Sequence, residues 1–126
     1  MKVIGLMTVR NEDWILGLTL RGVMLLADEM IVLDHASTDD TPLIIHEIAR
    51  EHPGRIHYQC REDPVWREAT IRQSLLDHGR KIGGTHFWVI DADELATGNV
   101  LPQIRPMLAA LEPGDLITIP WFPMWG

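Results

Sequence analysis

Cysteine is nearly missing from this sequence: Cys60 stands alone among 126 residues. A single cysteine forms no internal disulfide, so the fold must rest on its core, as in a reducing, cytoplasmic compartment. Positive charge is also scarce. Lys and Arg number 11 against 18 Asp and Glu, for a formal net charge of −7. Nucleic acid needs a basic face, and so does an anionic membrane surface, so neither is expected as a partner. Lys2 and Lys81 are the lysines. The remaining positive charge is on Arg, whose planar fork suits phosphate and carboxylate oxygens. No apolar run reaches the roughly 20 residues of a spanning helix. The longest, Trp14 to Ala27, is interrupted by Arg21, and no membrane segment is predicted. A cleavable leader pattern is not found before the strand-like run Val3 to Val9. Neither a Gly-x-Gly-x-x-Gly nor a Gly-x-x-x-x-Gly-Lys-Ser/Thr loop occurs, which argues against a dinucleotide oxidoreductase and a P-loop enzyme. The histidines at 35, 46, 52, 57, 78 and 86 show no metal-ligand spacing.

What remains is ordinary globular material, 46% hydrophobic and 23% charged, enough for one domain over residues 1–126. Strand and helix patterns alternate. Val3 to Val9 is an apolar run of strand length, expected to be covered on both faces. Asn11 offers a helix cap, with Glu12 and Asp13 in the first turn of a buried helix reaching about Ala27. Met30 to Leu33 reads as a second strand closed by Asp34. Thr41-Pro42 reads as a cap and first helical position, opening a helix that ends before Pro53-Gly54. Ile56, Tyr58 and Cys60 alternate with polar residues, as in a strand near an edge. Helices are predicted from about Trp66 to Ile82 and from Leu101 to Leu111, the latter kinked or started late by Pro106. His86 to Ile90 and Leu116 to Ile119 read as fourth and fifth strands. The pattern implies a mostly parallel sheet flanked by helices, an α/β Rossmann-like unit.

In such sheets ligands sit outside the carboxyl ends of the strands. The residues expected there include Arg10-Asn11-Glu12, Asp34 to Asp40, Arg61-Glu62-Asp63 and Asp91-Ala92-Asp93-Glu94. A rim so rich in carboxylates calls for a counter-charge, and a hard divalent cation with oxygen ligands supplies one. Asp91 and Asp93 are the sharpest candidates, because an apolar strand delivers the pair to this edge; a cap for the next segment is the plainer alternative. Asp34 is either the start of an Asx turn or an acceptor for a base or ribose. Arg67 and Arg72 are five residues apart, about 140° round a helix, so with Arg61 at most one or two reach a diphosphate. His35 lies in the rim loop within reach of a ligand. Trp14, Trp66 and Trp88 are read most simply as core or rim packing.

Three segments, Val9-Arg10-Asn11-Glu12, Ile31 to Thr41 and Phe87 to Glu94, resemble in order and spacing the family 2 glycosyltransferases, over Lys2 to about Leu111. The resemblance implies the A-type nucleotide-sugar-binding fold, its donor-binding half, a nucleoside-diphosphate sugar and Mn²⁺ or Mg²⁺. By this resemblance the loop Thr8, Val9, Arg10 and Glu12 would approach the base, and Asp34 would hold base or ribose. Asp91 would contact ribose or the metal site, and Asp93 would ligate the metal. Asp40 stands where a glycine is usual. Transfer with inversion to an unknown acceptor is implied, but no residue is named as the catalytic base, Glu94 being too near the metal motif.

The alternatives are a nucleotide- or metal-binding module without transfer activity and, last, a receiver-type phosphotransfer domain, whose acidic pair and lysine are not found at the expected strand ends. The apolar end, Trp121 to Trp125, reads as that of a truncated chain or one that associates with another copy.

Overall fold

The computed structural model describes residues 1–124. It contains β1 (Val3–Val9), α1 (Leu16–Met24), β2 (Glu29–His35), α2 (Thr41–Glu51), β3 (Ile56–Arg61), α3 (Glu68–Lys81), β4 (His86–Val89) and α4 (Leu101–Ala109). The strands form a four-stranded parallel sheet in the order β3-β2-β1-β4. The α/β half-domain read from the alternating pattern is therefore the observed architecture.

β1 is central, and its alternation feeds two cores. Met7 and Val9, with Met30 and Val32 of β2, pack against Leu16, Leu20 and Val23 of α1 and Ile45 and Ile48 of α2. Ile4 and Leu6, with Ile31 and Leu33, pack on the other face against Ile71 and Leu75 of α3. A strand covered on both faces has to be apolar throughout, which is why Val3 to Val9 shows no period of two. The chain proceeds outward from β1 to β2 to β3, then returns to place β4 on the far side of β1. The β1–β4 boundary is thus the point where strand order reverses, where α/β sheets open a crevice at their carboxyl edge.

Several local expectations change. α1 begins at Leu16, and Asn11 is not its cap: its backbone is left-handed, with φ 52°. β2 runs on through Asp34 and His35, and α2 begins at Thr41 with Asp40 as N-cap. Asp40 has φ −80° and ψ 10°, open to any residue, so this position needs no glycine. α4 starts at Leu101 and continues through Pro106. The expected strand at Leu116 to Ile119 does not form; the segment lies outside the sheet, with Leu116 83% exposed. An apolar run of strand length becomes a strand only where a neighbouring edge accepts its hydrogen bonds. Trp125 lies outside the described residues. No helix among the described residues is long and apolar enough to cross a membrane.

Gly84, at the turn into β4, tests the packing. A Cβ built there lies 2.6 Å from Cγ1 of Ile4, 2.7 Å from Cε1 of Phe87 and 2.8 Å from the carbonyl oxygen of Gly79. The backbone oxygen has little room to retreat. Gly84→Ala should therefore cost about 1–3 kcal/mol, the usual range for overpacking, read as a lower urea midpoint; an unchanged midpoint would show that the turn yields freely.

Candidate functional site

Two loops leave the carboxyl ends of the buried strands β1 and β2, and their side chains tie them together. The Asn11 N–H donates to Oγ of Ser37 (3.0 Å), and the Thr38 N–H donates to Oδ1 of Asn11 (2.7 Å). The Glu12 N–H donates to Oγ1 of Thr41 (3.0 Å), and the Asp13 N–H to Oδ2 of Asp39 (3.2 Å). Asp39 also accepts from the Thr41 N–H (2.9 Å), and Asp13 from the Asp40 N–H (3.3 Å). Short polar side chains satisfy the backbone donors that loops cannot pair among themselves. Burial pushes the Asp39 carboxyl upward, but the hydrogen bonds from the Thr41 hydroxyl and from the Thr41 and Asp13 amides outweigh it and hold the pKa below the usual value.

Asp34 belongs to the same framework. It is 1% exposed. Its Oδ1 accepts from the Ser37 N–H (3.1 Å) and its Oδ2 from the Tyr58 hydroxyl (3.1 Å). Burial, then hydrogen bonding to Cys60 and the charge of Asp34, raise the Tyr58 pKa far above its ordinary value, so the phenol keeps its proton and donates.

Above this framework lies a cleft of about 380 Å³, lined by Thr8, Val9, Arg10, Glu12, His35, Trp66, Asp91, Ala92 and Asp93. It sits at the β1–β4 reversal. Six of the residues singled out in the sequence, Thr8, Val9, Arg10, Glu12, Asp91 and Asp93, share its wall. Ala92 is buried and flanked by the exposed Asp91 and Asp93, so the Asp-x-Asp turn presents both carboxylates to solvent. Arg72 on α3 donates to Glu68 (2.8 Å) and brings Nη2 to 3.8 Å from Oδ1 of Asp91. Arg67, exposed at the N-cap of α3, is not part of the lining. Asp34, buried, is not part of the cleft wall. His35, expected within reach of a ligand, lines the cleft, and so does Trp66, expected as core or rim packing and 48% exposed. A tryptophan in a polar segment just ahead of a helix was the available signal for the latter. A larger depression of about 630 Å³ runs along α2 past Leu43, His46, Glu47 and Arg50, but it follows one solvated helix face and gathers no groups from other elements.

Among the described residues no three His, Cys, Asp or Glu side chains cluster as a metal site. Two exposed carboxylates still suit Mg²⁺ or Mn²⁺. Such ions use one or two protein carboxylates and complete an octahedron with water and phosphate oxygens. The donor chemistry at Asp91 and Asp93 fits an ion that arrives with a phosphate ligand, and does not fit a closed all-protein cage.

No protein-family model and no curated protein matches this sequence. Solved structures do. The mannosyltransferase PcManGT from Pyrobaculum calidifontis, in complex with GDP-Man and Mn²⁺, superposes with a TM-score of 0.69 at 23% identity, over 89% of this chain and 33% of that one. S. aureus TarS 1-349 superposes with a TM-score of 0.68 at 19% identity, over 86% and 32%. Its complex with UDP gives 0.66 at 17% identity, over 86% and 32%. The chain thus has the fold of the N-terminal part of a GT-A-like glycosyltransferase, and spans about a third of the length of these matched chains.

The loop clasp yields a prediction. Asp39→Ala leaves the Thr41 and Asp13 amides without their acceptor and should cost about 1–3 kcal/mol. The sign with pH follows from the depressed carboxyl. Its contribution is complete above the unfolded-state pKa and is lost as pH falls through the lower folded-state value. Thermal melts between neutral and acid pH should show wild type and Asp39→Ala converging in acid. A constant gap would remove the carboxylate's charge from the clasp.

Proposed function

We propose that this chain is the donor-binding part of a glycosyltransferase, taking a nucleoside-diphosphate sugar with Mn²⁺ or Mg²⁺ for inverting transfer to an acceptor. One observation carries the reading: the Asp91-Ala92-Asp93 turn opens onto a cleft at the strand-order reversal, in a fold shared with a mannosyltransferase whose structure holds GDP-Man and Mn²⁺.

In this reading Asp93 ligates the cation and Asp91 faces the ribose or shares the ion. Thr8, Val9, Arg10 and Glu12 border the base and ribose. Arg72, already drawn toward Asp91, meets diphosphate charge from the α3 side, while Arg67 is a weaker candidate, being outside the cleft wall. Asp34 acts through the loop it fixes: both of its oxygens have protein donors, so it shapes the floor beneath the nucleotide. The bound cation would offset the charge that develops on the departing nucleoside diphosphate.

A second reading is a module that binds the nucleotide without transferring sugar; it is favoured by the chain's span, about a third of the matched glycosyltransferase chains. Glu12 accepts from Nε1 of Trp14 (2.7 Å) and Glu94 from the Asp91 N–H (3.0 Å), each through one oxygen, so these bonds orient the two acids and do not decide between the readings.

Calorimetry with nucleoside diphosphates and Mn²⁺ tests the binding common to both readings. Wild type should bind with the cation and lose most of its affinity in excess chelator, because a bare diphosphate meets an acidic rim. Asp93→Asn should weaken binding at least tenfold while leaving melting unchanged or slightly raised, since it removes one of two neighbouring like charges. Undiminished affinity in the folded variant, or in chelator, would remove the metal role and with it the main support for donor binding. Sugar transfer separates the two readings.

A further inference from the structure

Buried polar atoms in folded proteins nearly always have a hydrogen-bond partner. The imidazole of His35 does not conform. The side chain is 2% exposed, and its Nε2 has no partner among the described residues. His35 ends β2 on the opposite face from Asp34, since successive side chains of a strand alternate, and it lines the same cleft as Thr8, Arg10 and Asp91. Over it lies the indole of Trp66, with ring centroids 5.4 Å apart and planes inclined at 57°.

Trp66 is half exposed, in a segment, 62–67, without helix or strand. A large apolar ring held by a loop therefore packs against an imidazole whose Nε2 lacks a partner. Neither feature helps the free protein. An apolar ring at position 35 would remove an unsatisfied atom from the interior, and an exposed indole leaves apolar surface in water. Together they offer what a flat heteroaromatic ligand needs: a ring face to stack on and, one ring's width away, a nitrogen able to donate to or accept from the ligand's polar edge.

We propose that Trp66 and His35 form the nucleobase subsite of the cleft: the indole stacks on the base and, as it shifts to do so, uncovers Nε2 of His35 to hydrogen-bond the base edge. The proposal rests on the donor-binding reading. It adds Trp66, from outside the segments that suggested that reading, and a defined role for His35, and makes the two the determinants of which base is accepted.

The test is calorimetry of the 126-residue chain with Mn²⁺ and, in turn, UDP, GDP, ADP, CDP and inorganic diphosphate, alongside thermal melts. Wild type should bind its preferred nucleoside diphosphate at least tenfold more tightly than inorganic diphosphate. His35→Phe should lower that nucleotide affinity about tenfold and leave inorganic diphosphate binding unchanged, with the melt checking that the variant is folded, because the phenyl ring removes the orphan nitrogen but adds volume to a buried site. Trp66→Ala, at an exposed position where folding is not at risk, should lower nucleotide affinity about tenfold as stacking is lost. Wild-type nucleotide affinity retained in Trp66→Ala and in a folded His35→Phe would overturn the subsite while leaving donor binding intact. Equal binding of inorganic diphosphate and every nucleotide would do the same. No binding of any of them by wild type would overturn the donor-binding reading and the subsite together.

Discussion

The carboxyl-end rim depends on the clasp between the loops that follow β1 and β2. Both strands are buried on two faces, so the chain leaves them with no freedom to adjust and with backbone amides that must find acceptors within a few residues. Asn11, Asp13, Ser37, Asp39 and Thr41 supply those acceptors across the gap between the loops. The left-handed backbone at Asn11 and Ala36 marks where each loop turns to meet the other. Side-chain acceptors on backbone donors fix geometry better than side-chain pairs do, because one partner cannot rotate away. The wall of the cleft formed by Thr8 to Glu12 takes its position from this clasp.

This changes the meaning of the acidic segment after β2. Read along the chain, Asp34 to Asp40 falls at the rim where ligands sit, with Asp34 either the start of an Asx turn or an acceptor for a base or ribose. In three dimensions Asp34 and Asp39 are occupied by protein donors. In the cleft wall, the Asp91 turn carries two carboxylates whose side chains are both exposed. A string of acids at the functional edge thus divides into those that build the edge and those left facing the cleft. Only hydrogen-bond partners tell the two apart.

The sheet was legible because burial on two faces forces continuous apolar runs, and because Gly and Pro stand at the turns between them. A mostly parallel sheet, with Thr8 to Glu12, Asp91 and Asp93 at its carboxyl edge, followed from that alternation; the strand order did not. Helix starts were less legible. Asn11 is a good cap by residue type, but its side chain accepts from Thr38 instead, a partner 27 residues away that no local pattern announces. The segment Leu116 to Ile119 has the composition of a strand, yet strand formation is decided by whether an edge is offered, which composition does not record. Trp66 escaped notice as a cleft residue for a related reason: an indole in a loop looks the same in sequence whether it packs inward or covers a cavity.

Under the donor-binding proposal, charge would make the cleft of this acidic protein selective. With a net charge of −7, the surface discourages anions in general, and the Asp91 and Asp93 pair strengthens that discouragement at the cleft mouth. Arg10 in the wall and Arg72 behind Asp91 offset it only locally. Under the donor-binding proposal a diphosphate would enter on favourable terms only together with a cation, since the pair is nearly neutral where either partner alone is not. The acidity of the rim would then act as a filter: free phosphates and free nucleotides would be repelled, and a cation without phosphate would find too few ligands among the described residues to be held tightly.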